Sequence, residues 1–107
     1  MKQITSAEFE AEVLKSTQPV LVDFYTDNCG PCRMMGPTLQ EIETEANGSL
    51  KIVKVDVAAE PMLASQFRVT AMPTFLAFAK GNCVGQTIGA KSKSSMKQWF
   101  EESVRSV

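Results

Sequence analysis

The sequence predicts an α/β protein, a sheet with helices packed against it. Three observations lead there. Apolar runs rich in β-branched and aromatic residues recur at 19–25, 50–57 and 74–79, as in buried strands. The segments between the first of these carry apolar residues at helical spacing. Gly81-Asn82 then separates 74–79 from a further short run, 83–88, as the turn of an antiparallel hairpin. Strands alternating with helices, then a hairpin, then a helix give a layered α/β sandwich.

Lys2-Gln3-Ile4 reads as a short first strand. Thr5 is followed three residues later by Glu8, the pattern of a capping box, so a helix opens there. Phe9, Val13 and Leu14 lie on its apolar face. It ends before Gln18-Pro19, because the residue before a proline disfavours the α region. The run 19–25 is the central strand, apolar along almost its whole length as in a strand covered on both faces. The next helix runs from Pro31 to about Ala46, with Met35, Leu39, Ile42 and Ala46 as its core stripe. Pro31 in the first turn costs no hydrogen bond. Pro37 lies inside the helix and predicts a kink. Asn47-Gly48 stops it. Leu50 to Val57 is a second strand, interrupted by Lys51, Lys54 and Asp56. Ala58 to Gln66 reads as a helix with Pro61 in its first turn. Thr70-Ala71-Met72-Pro73-Thr74 leads into the strand 74–79, where a proline at the strand's start is tolerated. Ser94 or Ser95 opens the last helix, whose apolar face carries Met96, Trp99, Phe100 and Val104; Trp99 reads as core packing. There are no repeats or linkers, so residues 1–107 are expected to form one domain.

Asn28-Cys29-Gly30-Pro31-Cys32 sits where a strand ends and a helix begins. The first N–H groups of a helix lack partners and its dipole is positive there. A thiolate is stabilised in that place, and the thiolate is the form that attacks disulfides. Cys29, ahead of the helix, is expected to be the more exposed sulfur and the nucleophile. Cys32, one turn in, is expected to be the buried resolving thiol. Attack by Cys29 gives a mixed disulfide; attack by Cys32 on that bond releases the reduced substrate and leaves Cys29–Cys32 oxidised. Asp23 has two readings. It is an outward-facing or turn-proximal carboxylate, or it is buried and costly unless partnered or protonated. A buried Asp23 has a raised pKa and can take the Cys32 proton near neutral pH. Lys54 is either solvated or lies beside Asp23 from the next strand. Gly30 lets a substrate backbone approach, and Pro31 stiffens the loop. Cys83, in a strand, reads as a small buried hydrophobe, with a regulatory thiol as the alternative.

Val22-Asp23-Phe24 and Cys29-Gly30-Pro31-Cys32, with Pro37, Lys54, Ala71-Met72-Pro73-Thr74 and Gly89-Ala90, resemble the thioredoxin family over almost the whole chain. The resemblance implies the thioredoxin fold, a central mixed β-sheet flanked by helices on both faces. It also implies a cis bond at Met72-Pro73, a Lys54–Asp23 pairing, and Asp23 acting on Cys32 through a water. It makes the Met72 backbone beside Pro73 a docking edge, where an extended substrate segment pairs as an added strand. The implied catalytic residues are Cys29, Cys32 and Asp23. The implied substrate-binding residues are Asn28, Gly30, Pro31, Met72, Pro73 and Gly89, with Lys54 and Tyr25 in support. Cys-x-x-Cys pairs of this family are themselves a reference example of thiolate stabilisation. Two positions depart from the family pattern: Asn28 and Tyr25 each stand where the family usually has tryptophan.

Composition sets outer limits. The chain has 107 residues, 44% hydrophobic and 21% charged, with a net charge of −1. That charge points to neither nucleic acid nor an anionic membrane as partner. No apolar run approaches the roughly 20 residues of a membrane helix. The first residues, Met1-Lys2-Gln3-Ile4-Thr5, lack a signal-peptide core, so a reducing, cytoplasmic location is expected. There are no histidines, which excludes His general bases, Cys-His proteases and Cys/His zinc fingers. Three cysteines fall short of a closed tetrahedral site, so neither metal nor cofactor is expected. The leading expectation is a monomeric protein-disulfide reductase of the thioredoxin type. Its partners would be disulfide-containing proteins and a thioredoxin reductase or other reductant. Asn28 and Tyr25 favour an alternative, an oxidoreductase dedicated to one partner. The remaining alternative is a thioredoxin-fold binding or scaffold protein without turnover, or a metal site shared between two copies of the chain.

Overall fold

Alternation along the central strand divides the core in two. Val20, Val22 and Phe24 point to one face of the sheet, and Leu21, Asp23 and Tyr25 to the other, with all six buried. The structure, a computed structural model, describes residues 1–105. Its elements in order are β1 (Lys2–Gln3), α1 (Ser6–Phe9), a π-helical turn (Glu10–Leu14), β2 (Val20–Tyr25), α2 (Gly30–Ala46), β3 (Lys51–Asp56), α3 (Pro61–Gln66), β4 (Thr74–Ala79), β5 (Asn82–Ile88) and α4 (Lys93–Arg105). The strands form one five-stranded sheet in the order β1-β3-β2-β4-β5. β1 and β2 pair parallel with β3, while β4 pairs antiparallel with β2 and β5. This is the expected mixed sheet.

The helices cover both faces. On one, Phe9, Val13, Leu63 and Ala64 from α1, the π-helical turn and α3 pack on Val20, Val22, Phe24, Val53, Val55, Leu76 and Phe78. On the other, Met35, Leu39 and Ile42 from α2 join Met96 and Phe100 from α4 over Leu21, Ile52, Phe75 and Ala77. Trp99 packs, partly buried, against this second cluster. Of the stripe read for α2, Met35, Leu39 and Ile42 are buried, while Ala46 in the last turn is only partly buried. α2 runs through Pro37 and stops at Asn47, which takes the left-handed conformation at φ 48°. At Gly85 of β5 the sheet comes so close to α4 that an added Cβ would overlap Ser103.

Several local expectations are corrected. The first helix does not continue as α-helix to Gln18: Lys15 N–H donates to the Glu10 carbonyl at 2.9 Å, a five-residue π-helical link. That wider turn keeps Val13 buried and leaves Leu14 37% exposed, off the apolar face. The Thr5 N–H does donate to the Glu8 carboxylate at 2.9 Å. α3 opens at Pro61 rather than Ala58, because Asp56 takes the intervening N–H groups into a turn. Its side chain accepts from Ala58 at 3.0 Å, and its carbonyl from Ala59 and Glu60. α4 opens at Lys93 rather than at Ser94 or Ser95, and the Ser92 hydroxyl just ahead of it accepts from Ser95 N–H at 3.2 Å. Cys83 is exposed, not buried. Ala77 pairs with Gly85 but Phe78 with Cys83, so Val84 is an extra residue in β5. The bulge lies on a strand at the edge of the sheet, where being in a strand does not bury a side chain.

Candidate active site

β2 delivers the chain to the start of α2, where Cys29 is the N-cap residue with extended backbone at φ −124° and ψ 107°. Its sulfur accepts the Cys32 N–H at 3.1 Å, satisfying one of the open donors of the first turn. Pro31, also in that turn, has no N–H to satisfy. Cys29 and Cys32 are joined as a disulfide with their Cα atoms 5.2 Å apart. Cys29 is half-buried, whereas Cys32 is 7% exposed. Gly30 and Pro31 are exposed, and nothing lies within 4 Å of where a Cβ on Gly30 would sit. Asn28 and Asp27 are exposed beside them. Arg33 ties this loop down, donating from Nη1 to the Asp27 carbonyl at 2.8 Å.

A second segment comes up to the sulfur from across the sheet. Met72-Pro73 is a cis peptide, and the Met72 carbonyl oxygen lies 3.7 Å from Cys29 Sγ. The Thr74 hydroxyl donates to the Ala71 carbonyl at 2.6 Å, closing the turn that presents it. Gly89 N–H donates to the Pro73 carbonyl at 2.9 Å. Gly89 does so at φ +96°, a conformation costly to any residue with a Cβ.

Beneath the disulfide lies Asp23, 2% exposed, in the middle of β2. Of its two readings, the buried one holds. Its neighbours in register are Lys54 on β3 and Phe75 on β4. Its Oδ1 is buried with no hydrogen-bond partner among the described residues. Burial pushes its carboxyl up to about 7, against the opposing pull of the Lys54 charge. Lys54 is half-buried, and its ammonium sits 4.4 Å from the centre of the Tyr25 ring. Asp23, Tyr25, Lys54, Cys32, Arg33 and Gly36 share a cavity of about 140 Å3. By volume it has room for water between the carboxylate and the sulfur. Gly36 and Arg33 were not singled out from sequence; the helical spacing of four from Cys32 to Gly36 is the signal that points to the former. A separate cavity between α2 and α4, lined by Ile42, Met96 and Phe100 together with Glu45, Lys97 and Glu101, holds neither cysteine. No group of three or more Cys, Asp or Glu residues among the described residues could hold a metal.

The arrangement sorts the residues singled out from sequence into two groups. Cys29, Met72 and Gly89 meet near the surface over the buried Pro73, with Asn28, Gly30 and Pro31 at the rim. Cys32, Asp23, Lys54 and Tyr25 meet below it. A dithiol in this setting can exchange with a disulfide from the exposed side and shed a proton to the buried side.

The family model for thioredoxin matches residues 1–102. Thioredoxin 1 of Nostoc sp. is 41% identical over 100 residues, covering 94% of this chain and 94% of that protein. The thioredoxin of Mycobacterium tuberculosis is 43% identical over 94 residues, covering 88% of this chain and 81% of that one. The bifunctional thioredoxin reductase/thioredoxin of Mycobacterium leprae is 43% identical over 94 residues, but the chain spans only 20% of that protein's length.

Proposed function

The chain belongs to the thioredoxin family, and from that premise we propose how its site works as a thioredoxin-type protein-disulfide reductase. In the reduced protein the Cys29 thiolate attacks a substrate disulfide. One substrate sulfur leaves as thiolate and the other remains bonded to Cys29. Cys32 gives its proton to the Asp23 carboxylate through the shared cavity. Its thiolate then attacks Cys29 Sγ, the second substrate sulfur leaves, and the Cys29–Cys32 disulfide forms. Two electrons pass from the dithiol to the substrate. The observation that carries this reading is the asymmetry of the pair: one sulfur half-buried at a helix start beside Met72, the other buried over Asp23. The helix N-terminus favours the Cys29 thiolate. Asp23, pushed up to about 7, changes charge in the range where Cys32 must lose its proton.

The substrate's backbone docks on the Met72-Pro73 edge, with Asn28, Gly30, Pro31 and Gly89 as the surrounding surface. The partners are disulfide-containing proteins and a thioredoxin reductase as electron donor. The name of the Mycobacterium leprae relative, which joins the two activities, supports that donor. Residues 1–107 act as one domain, monomeric and cytoplasmic, in electron transfer that maintains thiol balance. The net charge of −1 supports partners other than nucleic acid or anionic lipid. Among the described residues no helix is long and apolar enough to cross a membrane.

Insulin-disulfide reduction by the purified protein tests the mechanism. Cys29→Ser abolishes turnover, and Cys32→Ser accumulates a mixed disulfide with substrate. A Cys29→Ser variant with wild-type turnover overturns the assignment of the nucleophile. One observation favours a narrower activity: the exposed residue ahead of Cys29 is the polar Asn28, flanked by the exposed acid Asp27. A surface of that kind suits a matched partner better than a general one.

A further inference from the structure

The geometry points to Tyr25 as a positioning residue whose ring holds the Lys54 ammonium over the cavity floor and so sets the charge state in which Asp23 meets the Cys32 proton. The inference rests on Asp23 acting as that proton acceptor. Its observations are independent of the disulfide chemistry. Asp23 and Tyr25 are two apart on β2 and therefore point to the same face. Lys54 is the register partner of Asp23 on β3 and points to that face too. All three line the cavity that Cys32 closes. Yet among the described residues Lys54 forms no ion pair within 4 Å, and Asp23 Oδ1 has no hydrogen-bond partner. What the ammonium does meet is the Tyr25 ring, 4.4 Å from its nitrogen. A lysine held on an aromatic face keeps its charge close to Asp23, where a free lysine chain turns toward water. That nearby charge moderates the rise that burial imposes on Asp23 and so keeps the carboxyl in the range where it can exchange a proton with a thiol.

Other charges face the same space. Asp27 and Arg33 lie on the cavity wall, from the β2–α2 loop and from α2. Asp56 approaches Tyr25 from β3, and with Asp27, Asp23 and above all burial it raises the phenol, so the ring stays neutral over the working range. β4 contributes Phe75 opposite Asp23, which carries no charge. Lys54 is thus the cation that the ring can hold, while Arg33 is spent on the Asp27 carbonyl.

The test uses the oxidised protein, in which Cys29 and Cys32 are bonded and do not titrate. Carboxyl-13C aspartate NMR then follows Asp23, with Asp27 and Asp56 as internal references. The wild-type midpoint is expected at about 7. In Tyr25→Leu the freed lysine drifts from the carboxylate, and the midpoint rises by about half a unit, roughly threefold in the ionisation equilibrium. Lys54→Met raises it at least as far, and the double variant no further than Lys54→Met alone. Tyr25→Phe, which keeps the ring, stays at the wild-type midpoint. A midpoint in Tyr25→Leu that stays or falls, or a double variant beyond Lys54→Met, overturns the role of Tyr25. If Tyr25→Leu does not fold, the ring itself reports, since Tyr25 is the chain's one tyrosine. 3-Fluorotyrosine at that position gives a single 19F resonance, expected to move on Lys54→Met and to follow the Asp23 titration. A resonance indifferent to Lys54→Met overturns the contact. The acceptor role is tested apart: if Asp23→Asn leaves insulin turnover unchanged, that reading falls, and the role of Tyr25 with it.

Discussion

Asp23→Asn separates the catalytic value of this residue from its cost to the fold. The carboxyl is 2% exposed and its value rises from 3.8 to about 7, with burial the main cause. The native state therefore holds the Asp23 proton to a higher pH than the unfolded chain does. Between about pH 4 and pH 7 the unfolded chain has given up that proton while the folded one retains it. Stability falls as pH rises through this window and levels off above 7. A difference of about 3 units corresponds to about 4 kcal/mol at pH 8, and under 1 kcal/mol at pH 4. The opposing attraction of Lys54 is already contained in that value. Asparagine keeps the shape and carries no charge. Urea unfolding of the oxidised protein, wild type against Asp23→Asn, is expected to show a gain of a few kcal/mol at pH 8 that nearly vanishes at pH 4. Turnover of the same variant should be slower near neutral pH, where the acceptor is missing. A gain no larger at pH 8 than at pH 4 would refute the argument, since a pH-independent effect is packing and not ionisation.

Asn28→Trp adds apolar surface beside Cys29; at about 25 cal/mol per Å2, some tens of Å2 amount to about 1 kcal/mol. Its kcat/KM with a general thioredoxin reductase should rise up to about tenfold at fixed salt, and a wild type already matching an ordinary thioredoxin would deprive Asn28 of meaning. Leu39→Ala empties a fully buried site under α2 and should cost about 2–5 kcal/mol in urea unfolding. Gly85→Ala forces a methyl against Ser103 of α4 and should destabilise by about 1–3 kcal/mol, read as a lower melting temperature.

What was legible in the sequence is local. The Met35-Leu39-Ile42 stripe, the two-sided burial of β2 and the cysteines at a helix start are all set by spacing along one segment. The site's lower half is not local. That Asp23 faces Lys54 depends on the register of two strands, and the meeting of Met72 with Cys29 on the β2–β4 pairing. The sequence pattern of neither strand specifies its offset; only the family resemblance supplied these, together with the cis Met72-Pro73 bond. Cys83 failed for another reason. It lies on a strand at the edge of the sheet, where being in a strand does not bury a side chain, and nothing in Asn82-Cys83-Val84-Gly85 marks that strand as an edge. The π-helical turn at Glu10–Leu14 is equally silent, because its apolar spacing also fits an ordinary helix.

The order of the sheet has a consequence for the nascent chain. β2 is the middle strand, and both its neighbours come later in sequence, β3 from 51 and β4 from 74. As the chain leaves the ribosome from its N-terminus, Cys29 and Cys32 emerge well before β4 and the Met72-Pro73 turn. For that interval the dithiol stands without the wall that later lies against it, and Asp23 is still in water. Its carboxylate is ionised at its ordinary value until the sheet closes over it. Synthesis thus delivers the reactive pair first and the surroundings that govern its protons last.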